Sequence, residues 1–280
     1  MRSTTGRFWL GGSAIALAGA AVFQAACFFQ ATSLSAESGA VRQMEGEVRG
    51  FLTLRTLDGA LVADGDSIQV THDRAVTNRL VFHFKDGSVQ EEVTVFSQSE
   101  HFHLLSDHLV QKGPAFKHPM DVSINGSTGM VTVGYRNAKG EDKIETARLK
   151  LPPDLANGIV PILLKNLPPG AHSATASMVV ATPKPLLIKL LITAEGKDSF
   201  STGSASHEAT RYVVKVDIGG VRGVLAHLLG KQPPDTHVWM LGGSGPCFLK
   251  SEGPYAEGGP IWRTELVSPV WQNGAAKRER

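Results

Sequence analysis

Short runs of alternating apolar and polar residues dominate the chain, and glycine, asparagine, aspartate and proline separate them. Alternation places successive side chains on opposite faces of a β-strand, so each run predicts a strand with one apolar face. Turn dipeptides such as Asp86-Gly87 and Asn125-Gly126 favour antiparallel hairpins between the runs. The sequence therefore predicts a mainly β fold, in which a large antiparallel meander closes into a barrel-like sheet. The clearest runs cover residues 47–56, 78–84, 89–96, 130–136, 185–192, 211–218 and 237–241.

One stretch, "PPDLANGIVPILLKNLPPG" at residues 152–170, has apolar residues at helical spacing instead. Pro161 cannot lie in the interior of a continuous helix, because it lacks an N–H and clashes with the preceding turn. We therefore expect two short helices that meet near Asn157-Gly158, with Pro161 in the first turn of the second. This predicts one short helical insert, over about residues 153–167, that plugs or caps the sheet.

The N-terminal residues have the order of features found in an export signal. Arg2 and Arg7 precede an apolar stretch at residues 10–23, and small residues follow around Ser35 and Ala36. A signal peptidase acts after such small residues, so residues 1–36 are predicted to be a signal peptide. The alternatives are an uncleaved membrane anchor and a lipoprotein acylated at Cys27. We expect an exported chain, periplasmic or extracellular, with a single β-rich domain at residues 37–271 and a disordered tail at 272–280.

Charge and cysteine content narrow the classes of partner. The chain has 28 Lys+Arg and 26 Asp+Glu, and removing Arg2 and Arg7 leaves 26 of each. A neutral domain lacks the positive surface that nucleic acid requires, so we predict no nucleic-acid partner. The two cysteines are Cys27 and Cys247. Cleavage of the signal would leave Cys247 unpaired, which excludes a disulfide framework.

The segment "HFHLLSDH" at residues 101–108 carries the histidines that a metal or hydrolase site would use. His101 and His103 are two residues apart, so both rings lie on one face of a strand. Two histidines supply too few ligands for a closed zinc site, and we expect them on a solvated face with Phe102 and Leu104 turned inward. We predict no metal and no cofactor. A hydrolase using His101, His103, His108 and Glu91 stays as an alternative.

Glu91 and Glu92 are adjacent in a predicted strand, so they point to opposite faces of the sheet. If Asp86-Gly87 forms a two-residue turn, Phe82 lies opposite Glu91 and Glu92 belongs to the wet face. Glu91 then stands on an apolar face, where a carboxylate needs a partner or water. Either a bulge shifts the register by one residue and swaps the faces, or the inner face lines a cavity. The cavity alternative makes a ligand site of Glu91, Phe82, Phe84 and Val93.

The stretches "HFKDGSVQEEVTVFSQ", "LPPDLANGIVPILLKNLPPG" and "GGPIWRTEL" resemble a bacterial group of exported proteins of unassigned function. They are also similar to an uncharacterised periplasmic family with a large antiparallel, barrel-like sheet. The resemblance covers roughly residues 45–270 and implies a fold and a location without an activity. We expect a non-enzymatic envelope protein, peripheral to the membrane, that holds an apolar or amphipathic, lipid-like ligand. A structural envelope protein without ligand is the second alternative.

Overall fold

A computed structural model describes residues 35–36, 39–137, 139–202, 205–217, 233–243, 245–256 and 258–267. The predicted tail at 272–280, and the predicted signal peptide apart from residues 35–36, lie outside these ranges. The described residues form fifteen strands and one short helix. The strands are β1 (Ser35–Ala36), β2 (Val48–Thr56), β3 (Leu61–His72), β4 (Ala75–Phe84), β5 (Val89–Gln98), β6 (Phe102–Lys112), β7 (Met120–Asn125), β8 (Met130–Arg136), β9 (Asp142–Arg148), β10 (Ser173–Val180), β11 (Leu186–Thr202), β12 (Ala205–Asp217), β13 (Thr236–Leu241), β14 (Cys247–Pro254) and β15 (Ile261–Val267), and the helix is α1 (Val160–Lys165).

All fifteen strands belong to one sheet, in the order β1-β10-β11-β12-β13-β14-β15-β2-β3-β4-β5-β6-β7-β8-β9. Strands β2 to β9 form one meander of sequential neighbours, and β10 to β15 form another. Antiparallel pairing of β15 with β2 joins the two meanders, with Trp262 opposite Thr56. The prediction of a mainly β fold built on a large antiparallel meander is confirmed. β1 is the exception, since it pairs with β10 in parallel.

The sheet curls until its two ends share a hydrophobic core. Leu104 of β6, Val122 of β7 and Val131 of β8 belong to the same buried cluster as Val179 of β10 and Leu155. Strands that are distant in the sheet order thus face each other across the interior. The curl gives the predicted barrel-like shape.

Among the described residues, hydrogen bonding does not close the sheet. The edge of β10 that does not pair with β11 is already bonded to other segments of the chain. β1 pairs with its first residues, and Leu155 forms a parallel bridge with Ser177. Further along, the amide of Asn157 bonds both the N–H and the C=O of Val179 at 2.9 Å. At the opposite edge, β9 is short, exposed and rich in charged residues, which discourages pairing with another strand.

The helical insert is shorter than predicted. α1 begins after Ile159 and has Pro161 in its first turn, as expected. The predicted first helix, over residues 153–158, is wrong: this segment consists of turns and the Leu155 bridge. The backbone of this segment hydrogen-bonds to β10 instead of forming a helical turn. Ala156 N–H donates to Ser177 O at 2.8 Å.

The helix lies inside the curl. Leu163 and Leu164 are buried in a cluster with Phe96 of β5, Leu190 of β11 and Met240 of β13. A separate cluster fills another part of the interior, and its buried members include Leu54, Phe82 and Phe84. Among the described residues, no helix has the length and apolar character needed to cross a membrane.

Candidate functional site

The hairpin between β4 and β5 decides which glutamate faces the interior. Phe84 N–H donates to Ser88 O at 2.9 Å, so three residues form the loop instead of two. Gly87 has φ +85°, which suits the last position of such a loop. The Asp86 carboxylate accepts the Ser88 N–H at 2.9 Å and stabilises this turn. The predicted register is therefore wrong by one residue, and Leu80 lies opposite Glu92.

The shift exchanges the two faces of β5, as the bulge alternative anticipated. Glu91 lies on the outer face, where Arg79 Nε donates to its Oε1 at 2.7 Å. Val93 is also on that face, between Arg79 and His108 of the neighbouring strands. The ligand set predicted from the sequence is thus split by the register, and Glu92 takes the interior position that was assigned to Glu91.

Phe82 and Phe84 do face the interior, but they pack in a core instead of lining open space. Phe82 is fully buried, and its ring meets Tyr255 edge-on at 5.5 Å. Phe84 lies 5.2 Å from Phe116 and 5.5 Å from Trp262, measured between ring centroids. These aromatic rings form one end wall behind the open part of the interior.

A cavity of about 1150 Å³ lies in the interior. Small-molecule sites in proteins are usually about 300–1,000 Å³, so the cavity has room for a large ligand. None of the four residues of the predicted ligand set lines it, whereas Glu92 does. Its walls come from β2 to β7, from α1, and from β10, β11, β12, β14 and β15.

One wall is polar and follows the sheet across four strands. Gln69, Asn78, Thr94 and Asp107 are successive partners on β3, β4, β5 and β6. Thr94 Oγ1 donates to Asp107 Oδ1 at 2.7 Å, and both residues are buried. The side chains of this row lie on the interior face, and outward-facing side chains alternate with them along each strand.

A second polar group lies four residues along β5 and β6 from this row. Gln111 Nε2 donates to Gln90 Oε1 at 2.6 Å and to Tyr255 O at 3.0 Å. Between this pair and the Thr94–Asp107 pair stands Glu92, whose cross-strand neighbours are Leu80 and Leu109. The Glu92 carboxyl group is thus set between two apolar side chains on a wall that is otherwise polar.

The carboxyl groups of Glu92 and Asp107 hold their protons more strongly than usual. Burial, with a smaller contribution from the Asp107 charge, raises the pKa of Glu92 to about 8. Burial likewise raises the pKa of Asp107 to about 6, although the Thr94 hydrogen bond and the His108 charge oppose the rise. Burial and the nearby Glu92 charge also raise the pKa of Tyr255 well above its usual value. At neutral pH the wall therefore carries a protonated Glu92 beside a largely ionised Asp107.

A turn of the insert holds the Thr94–Asp107 pair against the cavity. Gly158 has φ +68°, and a Cβ built on it would lie 2.0 Å from Thr94 Oγ1 and 3.0 Å from Asp107 Oδ1. Asn157 fixes the same turn to β10 through Val179. Only glycine fits this position, because it accepts the positive φ and lets the backbone approach both polar side chains.

Glu45 forms a third polar group at the helix. Lys165 Nζ lies 2.7 Å from Glu45 Oε2, and Gln69 Nε2 donates to the same oxygen at 3.1 Å. Gln98 holds the Glu45 backbone through bonds of 2.6 and 3.0 Å. Glu45 is 5% exposed, and its Oε1 is buried with no hydrogen-bond partner among the described residues. This oxygen is thus a buried acceptor without a partner in the described part of the chain.

The opposite wall is apolar. It consists of Val160 and Ile162 of α1, with Met178, Ile188, Val216 and Phe248 from the second meander. Cys247 also lines it, and burial raises the pKa of its thiol, so it remains protonated at neutral pH. The cavity thus has a carboxyl- and amide-bearing wall on β3 to β6 and an aliphatic wall on α1, β10, β11, β12 and β14.

The histidines of the hydrolase hypothesis do not reach this cavity. Phe102 and Leu104 are buried and His103 is exposed, as predicted. His101 and His103 have ring centroids 6.3 Å apart, and His108 Nε2 lies 2.9 Å from Asp121 Oδ1 on the exposed face. Neither these histidines nor Glu91 lines the cavity. Within the described part of the chain, no group of three His, Cys, Asp or Glu side chains converges on a metal position.

The residues that the sequence analysis missed have a common signal. Gln90, Glu92 and Thr94 alternate along β5, as do Asp107, Leu109 and Gln111 along β6. Alternating polar residues ordinarily indicate the solvated face of a strand. A polar row on two neighbouring strands is also what a wet interior produces.

Comparisons with known proteins identify a similar structure and no family. No family model matches the chain, and no curated protein matches it either. Among solved structures, the chain is similar to the "Beta-barrel-like Protein of Domain of Unknown Function DUF1849 from Brucella abortus". The TM-score is 0.43 at 8% identity, and the alignment covers 79% of this chain and 96% of that one.

Proposed function

We propose that the protein is exported to the cell envelope and there binds an amphipathic small molecule in its interior cavity, without catalysing a reaction. The observation that supports this most directly is the cavity of about 1150 Å³ with one polar and one apolar wall. A structural protein without ligand would gain stability by filling such a space, because cavities cost packing energy. Export is supported by the order of charged, apolar and small residues at the N-terminus.

The two walls fit the two parts of an amphiphile. An aliphatic chain that packs on Ile162, Ile188 and Phe248 would remove its apolar surface from contact with water. This burial stabilises the complex by about 25 cal/mol per Å². A polar end directed at β5 and β6 would meet the carboxyl and amide groups of Glu92, Asp107 and Gln111. A purely apolar ligand would displace water from this wall without replacing its hydrogen bonds, so it should bind more weakly than an amphiphile of the same size.

Filling the cavity tests the proposal. Leu109→Trp replaces a half-buried lining residue of β6 by a larger one. Leu105→Trp makes the same change at a 41% exposed position of that strand. We expect wild-type protein to bind the apolar fluorophore diphenylhexatriene, Leu109→Trp to bind it at least about 10-fold more weakly, and Leu105→Trp to match the wild type.

Circular dichroism of all three proteins checks that the sheet is intact, and native mass spectrometry of protein purified from its own envelope checks for a co-purified amphiphile. A wild-type protein that neither binds the fluorophore nor carries a ligand would contradict the proposal and favour the structural alternative. Equal binding by Leu109→Trp and wild type would show that the fluorophore binds elsewhere.

Export has its own test. N-terminal sequencing of the native protein is expected to give a chain that begins near Ser35 or Ala36, because small residues follow the apolar stretch there. An acylated Cys27 would replace this with the lipoprotein alternative. An intact Met1 would show that residues 1–36 are not removed.

A further inference from the structure

The charges that line the cavity are unbalanced. In the part of the chain that the structure describes, three carboxyl groups line it, those of Glu45, Glu92 and Asp107. Lys165 is the one Lys, Arg or His among the described lining residues, and its ammonium group is already paired with Glu45 at 2.7 Å. Within the described ranges, Glu92 and Asp107 therefore share the cavity wall without a Lys, Arg or His beside them on that face.

We infer that the polar end of the ligand is a protonated amine that binds between the carboxyl groups of Glu92 and Asp107. This inference rests on the proposed function and specifies the chemistry of its ligand. Glu92 lies opposite Leu109 on β6, which makes Asp107 its diagonal neighbour. Diagonal side chains of neighbouring strands are about 7–8 Å apart at the backbone, close enough for two carboxyl groups to contact one ammonium group.

The hydrogen-bonding capacity of the site matches an ammonium group. An ammonium has three N–H donors and no acceptor, whereas ionised carboxylates only accept. The Thr94 bond engages Oδ1 of Asp107 at 2.7 Å.

Other head groups fit less well. A carboxylate or phosphate end would face the ionised Asp107 with charge of the same sign, which is unfavourable in a cavity of low polarity. It would also find Lys165 already paired. A hydroxyl end can hydrogen-bond to either carboxyl group. It carries no charge, however, so it lacks the electrostatic attraction that an ammonium group has for a carboxylate.

The binding of an amine would depend on pH in a defined way. Among the residues that the structure describes, the titratable groups lining the cavity are those of Glu45, Lys165, Glu92, Asp107, Tyr255 and Cys247. The charge of His108 also acts on Asp107, from the exposed face of β6. With the pKa of Glu92 at about 8, this carboxyl group is mostly protonated at pH 7, and an ammonium group would favour its ionisation. Affinity should therefore rise from pH 6 to pH 8, and binding at pH 7 should release a proton.

Three amphiphiles with the same chain test the head group. Dodecylammonium, dodecanol and dodecanoate, each below its micelle concentration, compete with diphenylhexatriene at pH 7. We expect dodecylammonium to bind about 10-fold more tightly than the other two, as a charge-assisted pair of hydrogen bonds predicts. Glu92→Gln should weaken the binding of dodecylammonium by about 10-fold and leave the binding of dodecanol unchanged. Glu91→Gln, on the outer face, should change neither.

The outcomes separate this inference from the proposed function. Equal or tighter binding of dodecanol or dodecanoate, or a Glu92→Gln variant that weakens all three amphiphiles alike, would overturn the amine assignment and leave the cavity as a ligand site. A wild-type protein that binds neither the fluorophore nor any amphiphile would overturn the proposed function as well.

Discussion

Replacing Gly158 by alanine is expected to destabilise the protein by about 3–4 kcal/mol. The positive φ of +68° alone costs an alanine about 1–2 kcal/mol. The added Cβ would also lie 2.0 Å from Thr94 Oγ1 and 2.9 Å from Thr94 Cβ. Because β5 and β6 hold Thr94 in the sheet, the clash has to be relieved by moving the turn, and overpacking of this kind costs about 1–3 kcal/mol. Urea unfolding followed by tryptophan fluorescence measures the change.

Gly170 supplies the matched control. It has a similar φ of +78°, but a Cβ there would meet nothing within 4 Å. Gly170→Ala should therefore show the backbone cost without the clash, about 1–2 kcal/mol. If both variants lose the same stability, the close approach of Gly158 to Thr94 and Asp107 does not exist in solution. The Gly158→Ala variant should also lose affinity for diphenylhexatriene, since the turn lines the cavity.

The strands could be predicted from the sequence because alternation is a local property. Runs such as residues 78–84 and 89–96 lie within strands of the structure. The position of Pro161 in the first turn of α1 was predictable for the same reason, since the proline ring limits where a helix can start. The segment before it was not, because Leu155 and Asn157 are held by Ser177 and Val179, which are about twenty residues away in the chain.

The interior residues of β5 could not be identified, because one additional residue in the preceding turn exchanges the two faces of that strand. Asp86-Gly87 occurs both in two-residue turns and in three-residue loops that end on a left-handed glycine. The Asp86 bond to Ser88 and the Phe84–Ser88 closure select the longer loop, and Glu92 then replaces Glu91 inside. The cavity itself depends on the distance between walls that are far apart in sequence, and alternation carries no information about that distance.

Glu92→Gln is expected to make the protein more stable at alkaline pH and to flatten its dependence on pH. The pKa of Glu92 is raised to about 8 from 4.5, so the folded state keeps a proton that the unfolded state releases between these values. The free energy of unfolding of the wild type therefore falls as pH rises from about 4.5 to about 8 and levels off above that. Glutamine has nearly the same shape and no charge, so the variant lacks this decline.

The expected difference is small at pH 4.5 and reaches roughly 2–4 kcal/mol at pH 9 in favour of Glu92→Gln. Asp107 contributes a decline in the same direction over a lower range, since burial raises its pKa to about 6, and both proteins should retain that part. Urea unfolding between pH 4.5 and pH 9 measures the two profiles. Glu91→Gln is the control, because its exposed ion pair with Arg79 contributes about 0–1 kcal/mol. Parallel profiles for Glu92→Gln and wild type across this range would show that Glu92 ionises freely, and the expected rise in amine affinity between pH 6 and pH 8 would then lose its cause.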